Sequence, residues 1–429
     1  MDIVIIGGGP AGRTAAIEAS NIGENVILIE ENKIGGTCLN EGCMVVCGLN
    51  EVSKFLVDSK NFKNLGIIDN IHKISFDKVI SGVKNTIDKI NHVLDFETRD
   101  AGAEIIMGQA ELQNEKVIVE GKEFDYDKLI IATGARPLIP KIEGAEKAIT
   151  YKDILNLTEL PEELNIMGSG VISAEFANIF STMGAKVNIL CRNQFLKMLD
   201  EDIKKYLLKN LLTDVNIYEN VRAEAINEDH ISTDKGKMKG KTLFAVGMVP
   251  NSEIAVDIVN TDERGHIIVD NRMQTSHKSI YAAGDVAGRI GNTPISRAEG
   301  ITAARNACGI YTKMDYSLIP YSINLYYDVA FIDFQKNDQS IEGHIPGSAG
   351  PGSFWRVLEG MTGITKIGVN EDRGLNKLFS VSPSSRTSMA YMSKLLREGQ
   401  KIDDFDDFME VHPSTDAIYK LMRFFARFG

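Results

Sequence analysis

The sequence predicts an α/β fold in which two parallel-sheet domains are followed by a smaller α+β domain. One pattern occurs twice: a short apolar run, a glycine-rich turn and a helical stretch, beginning at Ile3 and again at Leu164. Such a strand–turn–helix unit is typical of the start of a parallel sheet. The length of 429 residues also exceeds what one hydrophobic core usually holds, so two or three domains are expected.

The first of these units lies at the N-terminus. Its apolar strand leads into a turn that contains Gly7, Gly9 and Gly12, a helical stretch follows, and the next apolar strand ends in Glu30. Glycines in a Gly-x-Gly-x-x-Gly turn let the backbone approach a pyrophosphate at the helix N-terminus, and the acid binds a ribose hydroxyl. This spacing predicts a Rossmann-like dinucleotide-binding domain.

The second unit repeats the pattern with two changes. Gly168, Gly170 and the small residue Ser173 form its turn, but Cys191 stands where the ribose-binding acid would be, and Arg192 follows it. Loss of the acid and gain of a cation favour a 2′-phosphate, and hence NADPH over NADH. The alternative is that Arg192 is a solvated surface charge. Two such units predict two dinucleotides.

Two more apolar strands fit the same fold. One of them ends in Thr133 and Gly134, and the other ends in Asp285. Open α/β sheets bind ligands at the carboxyl ends of their strands, so Asp285 is placed to bond a ribityl hydroxyl.

Composition narrows the range of partners and compartments. A formal net charge of −12 argues against nucleic acid, because phosphate binding needs a basic face and none stands out in the sequence. No apolar run reaches the length of a membrane span, and no signal-peptide pattern precedes the first strand. We therefore expect a cytoplasmic protein that binds neither nucleic acid nor membrane.

Cysteines are few but clustered. Of the five in the chain, Cys38, Cys43 and Cys47 lie within ten residues of one another. Five are too few for a disulfide scaffold in a chain of this length, and clustered cysteines in a reducing compartment are more often catalytic or metal-binding. Zinc is disfavoured, since no Cys/His pair with ligand spacing lies nearby.

A disulfide between Cys38 and Cys43 requires a distorted backbone. Five residues of helix rise by about 7.5 Å, whereas a disulfide needs Cα atoms within about 4.4–6.8 Å. Gly42 is the expected point of distortion. A strained, accessible disulfide is easily reduced, which suits a catalytic bond better than a structural one.

At this point the sequence resembles a known family, the class I pyridine nucleotide–disulfide oxidoreductases, and within it most closely the dihydrolipoamide dehydrogenases. The similarity is strong through about residue 310 and looser beyond it. The motifs that carry it run in family order, and they are Gly7–Gly12, Gly35–Cys43, Ala132–Gly134, the turn at 168–173 with Glu175, Ala245–Gly247 with Pro250–Asn251, Ala282–Val286 and His412–Pro413.

This resemblance implies a three-part architecture. An FAD-binding domain comprises residues 1–147 and 275–313, an NAD(P)-binding domain comprises residues 148–274, and residues 314–429 form an interface domain that mediates homodimer formation. FAD and NAD(P)H are the implied cofactors.

The resemblance also implies roles for individual residues. Cys43 is the sulfur nearer the flavin, Cys38 exchanges with the substrate disulfide, and His412 of the partner subunit is the general acid/base, with Asp416 in place of the usual orienting glutamate. An imidazole near neutral pKa can hold and return the proton of a thiol. The positions that match the family's cofactor contacts are Gly7, Gly9, Pro10, Ala11, Gly12, Glu30, Gly36, Thr37, Cys47, Ala110, Thr133, Gly134, Gly168, Gly170, Val171, Ile172, Glu175, Arg192, Val221, Gly247, Asp285 and Thr293.

Two departures from the family pattern concern the cofactors. Cys47 stands where the family commonly has a lysine that pairs with a glutamate, here Glu175, so the pKa of Glu175 is expected to rise. Cys47 is either a third redox sulfur or a small buried hydrophobe. Met248 replaces an arginine that contacts the cofactor phosphate, which counts against strong NADPH binding.

Three functions remain open at the level of sequence. The leading one is an FAD enzyme that relays electrons between NAD(P)H and a small or protein dithiol/disulfide through Cys38 and Cys43. A second keeps the flavin chemistry but uses a non-disulfide acceptor such as oxygen, a metal ion or a quinone. A third is a flavin-bound redox sensor without rapid turnover.

Overall fold

The computed structural model describes residues 1–71, 73–334, 340–415 and 417–429. It is an α/β structure with parallel sheets, as the sequence predicts. Within the described part of the chain, no helix is both long and apolar enough to span a membrane.

Helices and strands follow one another closely in the first half of the chain. Residues 2–137 form β1 (Asp2–Ile6), α1 (Pro10–Ile22), β2 (Asn25–Glu30), α2 (Gly36–Asn40), α3 (Cys43–Asn64), α4 (Phe76–Asp100), β3 (Glu104–Met107), β4 (Ala110–Gln113), β5 (Lys116–Val119), β6 (Lys122–Phe124), β7 (Lys128–Ile131) and β8 (Ala135–Pro137). Residues 145–255 form 3-10 helices at Ala145–Lys147 and Tyr151–Asn156, then β9 (Glu163–Met167), α5 (Val171–Met183), β10 (Lys186–Leu190), α6 (Glu201–Asn210), β11 (Val215–Tyr218), β12 (Ala223–Ile226), β13 (His230–Thr233), β14 (Gly236–Lys239), β15 (Lys241–Phe244), β16 (Met248–Pro250) and a 3-10 helix at Glu253–Ala255.

The remaining elements lie between residues 280 and 428. They are β17 (Ile280–Ala282), a 3-10 helix at Asp285–Ala287, α7 (Thr293–Ala307), β18 (Ile319–Ile323), β19 (Asp328–Asp333), β20 (Ile341–Pro346), a 3-10 helix at Trp355–Glu359, β21 (Ile364–Val369), β22 (Leu375–Ser382), α8 (Ser385–Arg397), a 3-10 helix at Ile402–Phe405 and α9 (Ile418–Phe428).

The first sheet is parallel and has the strand order β17-β7-β1-β2-β3. Its central strand, β1, buries its residues from Ile3 to Ile6, and such continuous burial is typical of a parallel sheet covered on both faces. Because β17 joins this sheet, Asp285 and Glu30 follow strands that end at the same edge. That carboxyl edge is where open α/β sheets bind ligands.

The second sheet is also parallel, in the order β11-β10-β9-β15, and α5 packs against it. The third sheet is antiparallel, in the order β18-β19-β22-β21-β20. Helices α8 and α9 cover the third sheet, and α9 buries Ile418, Leu421, Met422 and Phe425. The third sheet therefore has its own apolar core.

One buried lysine ties the third sheet to α6. The ammonium of Lys366 on β21 lies 2.9 Å from Asp200, 2.8 Å from Asp202 and 3.1 Å from Glu342. Its hydrogen bond lowers the pKa of Asp202, and together with Lys377 it lowers the pKa of Glu342. A carboxyl with a lowered pKa stabilises the folded state above its unfolded pKa and loses that contribution as the pH falls.

Replacing this lysine by methionine is expected to destabilise the fold in a pH-dependent way. Lys366→Met should lower the free energy of unfolding by about 2 kcal/mol at pH 7, since the clustered carboxylates lose their cation but keep partial access to water. The difference from the wild type should shrink as the pH falls through the pKa of these carboxyls. Urea unfolding across pH 4–7 measures it, with the exposed Lys186→Met as control. A loss that does not change with pH would contradict the ion-pair explanation.

Candidate active site

Cys38 and Cys43 lie on either side of a break between two helices. Helix α2 ends at Asn40, and α3 begins at Cys43. The N–H groups of Glu41 and Gly42 both donate to the carbonyl of Thr37, at 3.0 and 2.7 Å, which turns the chain between the helices. The break thus falls at Gly42, where the sequence predicts the distortion. Both cysteines are free thiols in this structure.

Thr293 lies against both sulfurs. Its hydroxyl donates to the sulfur of Cys38 at 3.1 Å and lies 3.6 Å from the sulfur of Cys43. Thr293 is the first residue of α7, and it is 255 residues from Cys38 and 250 residues from Cys43 along the chain. The sequence places Thr293 among the cofactor contacts, but its contact with the sulfurs is not evident from any local pattern.

The shared hydrogen bonds separate the acidities of the two thiols. The bond with Cys38, helped by the hydroxyl of Thr293, lowers the pKa of Cys43 to about 6. The same contact with Cys43, together with burial, raises the pKa of Cys38. The pKa of Cys43 therefore lies below that of Cys38, so Cys43 ionises first and Cys38 keeps its proton to a higher pH. Attack by Cys38 on a substrate consequently needs a group that removes this proton.

Removing the threonine hydroxyl is expected to weaken the thiolate. Thr293→Val should raise the pKa of Cys43 by roughly one unit, because a hydrogen bond that favours the charged form is lost. The pH dependence of alkylation, followed for each cysteine by mass spectrometry, measures the shift. Thr293→Ser keeps the hydroxyl and should retain the wild-type midpoint. Equal midpoints in the wild type and the valine variant would show that the hydroxyl does not act on the thiolate.

Glu175 on α5 and Cys47 on α3 lie next to the cysteine pair. An oxygen of Glu175 accepts the backbone N–H of Asn324 at 2.8 Å, and the sulfur of Cys47 lies 3.9 Å from the side-chain nitrogen of Asn324. Burial raises the pKa of Glu175 to about 8, as the sequence predicts for a carboxyl without its usual lysine. Burial also raises the pKa of Cys47, which favours a protonated, half-buried thiol over a third redox nucleophile.

The glycine turn before α1 forms a close backbone cradle. A Cβ on Gly12 would lie 1.8 Å from the carbonyl oxygen of Gly7, and a Cβ on Gly36 would lie 2.7 Å from the Cα of Gly9. No side chain caps the N-terminus of α1, so its first N–H groups are free to bind an anion. Pro10 and Ala11, in the first turn of this helix, belong to the same cradle. The arrangement fits a pyrophosphate.

Two carboxyl groups lie at the edge of the first sheet. Glu30 is buried and accepts the N–H groups of Gly8 at 2.6 Å and Asn32 at 2.8 Å. Asp285 is partly buried after β17. Burial raises the pKa of both carboxyls. Partly desolvated carboxyls gain from hydroxyl donors, so these residues fit the ribose and ribityl groups of FAD.

The other residues predicted to contact the first cofactor lie on α2, in the turn after β7 and on β4. Thr37 lies on α2, between the glycine cradle and the cysteines, and a Cβ on Gly134 would meet open space. The hydroxyl of Thr133 is already engaged, since it donates to the carbonyl of Asn251 at 2.6 Å. Ala110 is the first residue of β4, in a separate antiparallel sheet.

The second glycine turn has the same form. Gly168 has a φ of +145°, where a Cβ would lie 2.2 Å from the carbonyl oxygen of Ala245, and no side chain caps α5 at Gly170. Cys191 is fully buried and donates to the carbonyl of Gly168, so it presents no group to a ribose, whereas Arg192 is exposed. The other predicted positions are Val171 and Ile172, half-buried at the start of α5, Val221, which is buried, and Gly247, beside open space.

His412 is exposed and lines a surface cavity of about 370 Å³. The residues around this cavity come from positions 346–349 and 410–420, and Glu410 and Lys420 are among them. Asp416, predicted to orient the histidine, lies outside the described residues. Across the described ranges, no cluster of three or more histidine, cysteine or acidic side chains is arranged to hold a metal ion.

Comparison with known families gives one match that covers most of the chain. Residues 1–300 match the family described as "Pyridine nucleotide-disulphide oxidoreductase". The match includes both glycine turns, the cysteine pair, Asp285 and Thr293.

Relatives and solved structures agree with this match. The chain is 32% identical to an uncharacterised protein of Methanocaldococcus jannaschii, over 99% of this chain and 98% of that protein. It is 31% identical to the dihydrolipoyl dehydrogenase of Bacillus subtilis, over 80% of each chain. Its fold is similar to that of RclA, an HOCl-induced flavoprotein disulfide reductase from Escherichia coli, with a TM-score of 0.87 and 25% identity over 98% of this chain and 99% of the other.

Proposed function

The chain belongs to the pyridine nucleotide-disulphide oxidoreductase family, and we propose that it is an NAD(P)H:disulfide oxidoreductase similar to dihydrolipoamide dehydrogenase. It is an oxidoreductase whose cofactors are FAD and NAD(P)H. The observation that carries the proposal is a pair of thiols, Cys38 and Cys43, that lie beside Thr293 and differ in pKa.

The proposed architecture follows the three largest sheets. Residues 1–147 and 275–313, which build the first sheet, bind FAD, and residues 148–274, which build the second, bind NAD(P)H. Residues 314–429, with the antiparallel sheet, mediate homodimer formation. The contribution of β17 to the first sheet supports the split first domain, because this strand follows the second sheet in the chain.

The chain's own residues would hold the flavin in a defined order. The cradle at Gly7–Gly12 and Gly36 receives the pyrophosphate, Glu30 the ribose, and Asp285 the ribityl chain. Bound FAD supplies the transfer of two electrons between the nicotinamide and the sulfur pair. The break between α2 and α3 at Gly42 keeps both sulfurs on the same side of the turn. There the side chain of Thr293 contacts each of them.

The sulfur chemistry then balances as thiol–disulfide exchange. The sulfur of Cys38 attacks a substrate disulfide, forms a mixed disulfide and releases the first thiol. Cys43 attacks the sulfur of Cys38, releases the second thiol and closes the disulfide between the two cysteines. NAD(P)H then returns two electrons, so that NAD(P)H, one proton and one disulfide give NAD(P)⁺ and two thiols.

The proton needed for this exchange is the proposed task of His412 of the partner subunit. The pKa of Cys38 is raised, so this thiol must give up its proton before it attacks, and the leaving thiol must receive one. The cavity beside His412 is lined entirely from residues 346–420, which supports a site completed across a dimer. Asp416 is proposed to orient the imidazole.

Nicotinamide preference is proposed to lean towards NADPH. Cys191 is buried and offers no carboxylate to a 2′-hydroxyl, and exposed Arg192 supports the proposal as a cation for a 2′-phosphate. Met248, on β16, supplies no cation to the phosphate, so the expected preference is small.

A screen of small disulfides tests the proposal. We expect purified protein to oxidise NADPH or NADH with at least one of lipoamide, cystine and glutathione disulfide, followed by absorbance under anaerobic conditions. The Cys38→Ser/Cys43→Ser double variant should be inactive with the same disulfide. Turnover with oxygen, copper(II) or a quinone that survives in the double variant would instead select a non-disulfide acceptor. Absence of turnover with every acceptor would favour a flavin-bound sensor.

A further inference from the structure

A cation from the last third of the chain lies beside the redox helices. Arg386 is the second residue of α8, and its guanidinium donates to the side-chain oxygen of Asn324 at 3.0 Å and lies 3.0 Å from a carboxylate oxygen of Asp328. Asp328 and Asn324 are buried, so they hold the guanidinium in place. The guanidinium itself is half-exposed.

Asn324 connects this guanidinium to Glu175, the acid of the candidate active site. Its backbone N–H donates to Glu175 at 2.8 Å, its side-chain oxygen also accepts from Asn50 at 2.8 Å, and its side-chain nitrogen lies 3.9 Å from the sulfur of Cys47. Asn50 in turn accepts from Asn178 at 2.9 Å. Helices α3, α5 and α8 therefore meet at one buried residue.

The charges in this region are unequally distributed. Burial, Cys43 and Asp328 oppose the ionisation of Glu175, and Arg386 is the cation that favours it. Arg386 also lowers the pKa of Cys47, whereas burial, Cys43, Glu175 and Asp328 raise it. Lys54 on α3 lies 3.3 Å from the carboxylate of Asp328, and so contributes to neutralising that anion. Position 47, where the family pattern has a lysine, carries no charge of its own.

We propose that Arg386 is the positioning cation of this site: a guanidinium held by Asp328 and by Asn324, the residue that contacts Glu175 and Cys47 beside the cysteine pair. The cation that acts on Glu175 and Cys47 therefore comes from α8 and not from position 47 of α3. Under the proposed function this makes the charge beside Cys43 depend on the packing of the last third of the chain.

Arg386 and Asp328 have opposite effects on the pKa values of Glu175 and Cys47. Removal of Arg386 takes away a cation that lowers the pKa of both groups, so both pKa values should rise. Removal of the charge on Asp328 takes away an anion that raises both, so both should fall. Asp328→Asn retains an oxygen that can accept from Arg386. General loosening of the structure would not give opposite signs.

Alkylation of Cys47 in the reduced, flavin-bound protein tests this directly. Mass spectrometry reads the extent of reaction with iodoacetamide at Cys47 against pH. We expect the midpoint to rise by roughly half to one pH unit in Arg386→Met, given the partial exposure of the guanidinium. It should return towards the wild-type value in Arg386→Lys and fall in Asp328→Asn. Lys394→Met removes an exposed cation from the same helix and should change nothing.

Two results would overturn the proposal. One is an unchanged Cys47 midpoint in Arg386→Met, and the other is a shift of the same sign in Arg386→Met and Asp328→Asn. The pH profile of disulfide reduction should move with the alkylation midpoint. If the wild type reduces no disulfide but the midpoints still shift as expected, the proposed function fails while the role of Arg386 stands.

Discussion

Cys38→Ser is expected to reduce NAD(P)H-dependent disulfide reduction by at least about 10³-fold, since it removes the sulfur that forms the mixed disulfide. The alcohol cannot replace it, because the hydroxyl is far less acidic than the thiol and forms no disulfide. Cys43→Ser should cost as much, because the mixed disulfide on Cys38 then has no thiolate to resolve it. Steady-state rates with the best small disulfide, measured at matched flavin content, provide the comparison.

A matched control separates loss of chemistry from loss of a cysteine. Cys308 is a half-buried thiol at the end of α7, away from the sulfur pair, so Cys308→Ser should keep wild-type turnover. If Cys38→Ser keeps more than about one-tenth of the wild-type rate, exchange at this sulfur is not the main route.

Gly12→Ala is expected to abolish FAD retention and to destabilise the protein by on the order of 3 kcal/mol. The added Cβ would lie 1.8 Å from the carbonyl oxygen of Gly7 and 3.1 Å from the Cβ of Ala132. Backbone cannot yield as a flexible side chain can, so α1 must move away from the turn and from the pyrophosphate site. The ratio of flavin to protein absorbance and the thermal midpoint measure the two effects.

The same substitution at an open position should do the opposite. Gly82 lies on an exposed face of α4 with nothing within 4 Å of its Cβ position. Gly82→Ala should therefore raise stability by about 0.5–1 kcal/mol and leave flavin content unchanged. Full flavin content in Gly12→Ala would show that the turn is not the pyrophosphate site.

Local patterns predicted the parts of the site that are local in the chain. The turn at Gly7–Gly12, the carboxyl of Glu30 and the break at Gly42 each follow from a short run of residues, because backbone sterics and strand ends fix them. The rise in the pKa of Glu175 was predicted from one substituted neighbour, Cys47.

Contacts between distant segments were not predictable in the same way. Thr293 approaches the sulfurs from 250 and 255 residues away, and the sequence places it among the cofactor contacts but not against the sulfurs. Arg386 contacts Asn324, which in turn contacts Glu175, because α8 packs on the third sheet, and no local pattern records this packing. The ionic environment of the sulfur pair is therefore a property of tertiary packing.

Electron relay through Cys38 and Cys43 is tested most directly by counting which cysteines change state when NADPH or NADH reduces the protein. The protein is alkylated anaerobically before and after addition of one equivalent of NADPH, and separately of NADH, and each cysteine is read by mass spectrometry. If electrons pass through the sulfur pair, Cys38 and Cys43 are protected in the oxidised protein and become labelled together after reduction. Cys47, Cys191 and Cys308 should be labelled to the same extent in both states. Labelling of Cys38 and Cys43 that is unchanged by either nicotinamide would contradict this relay.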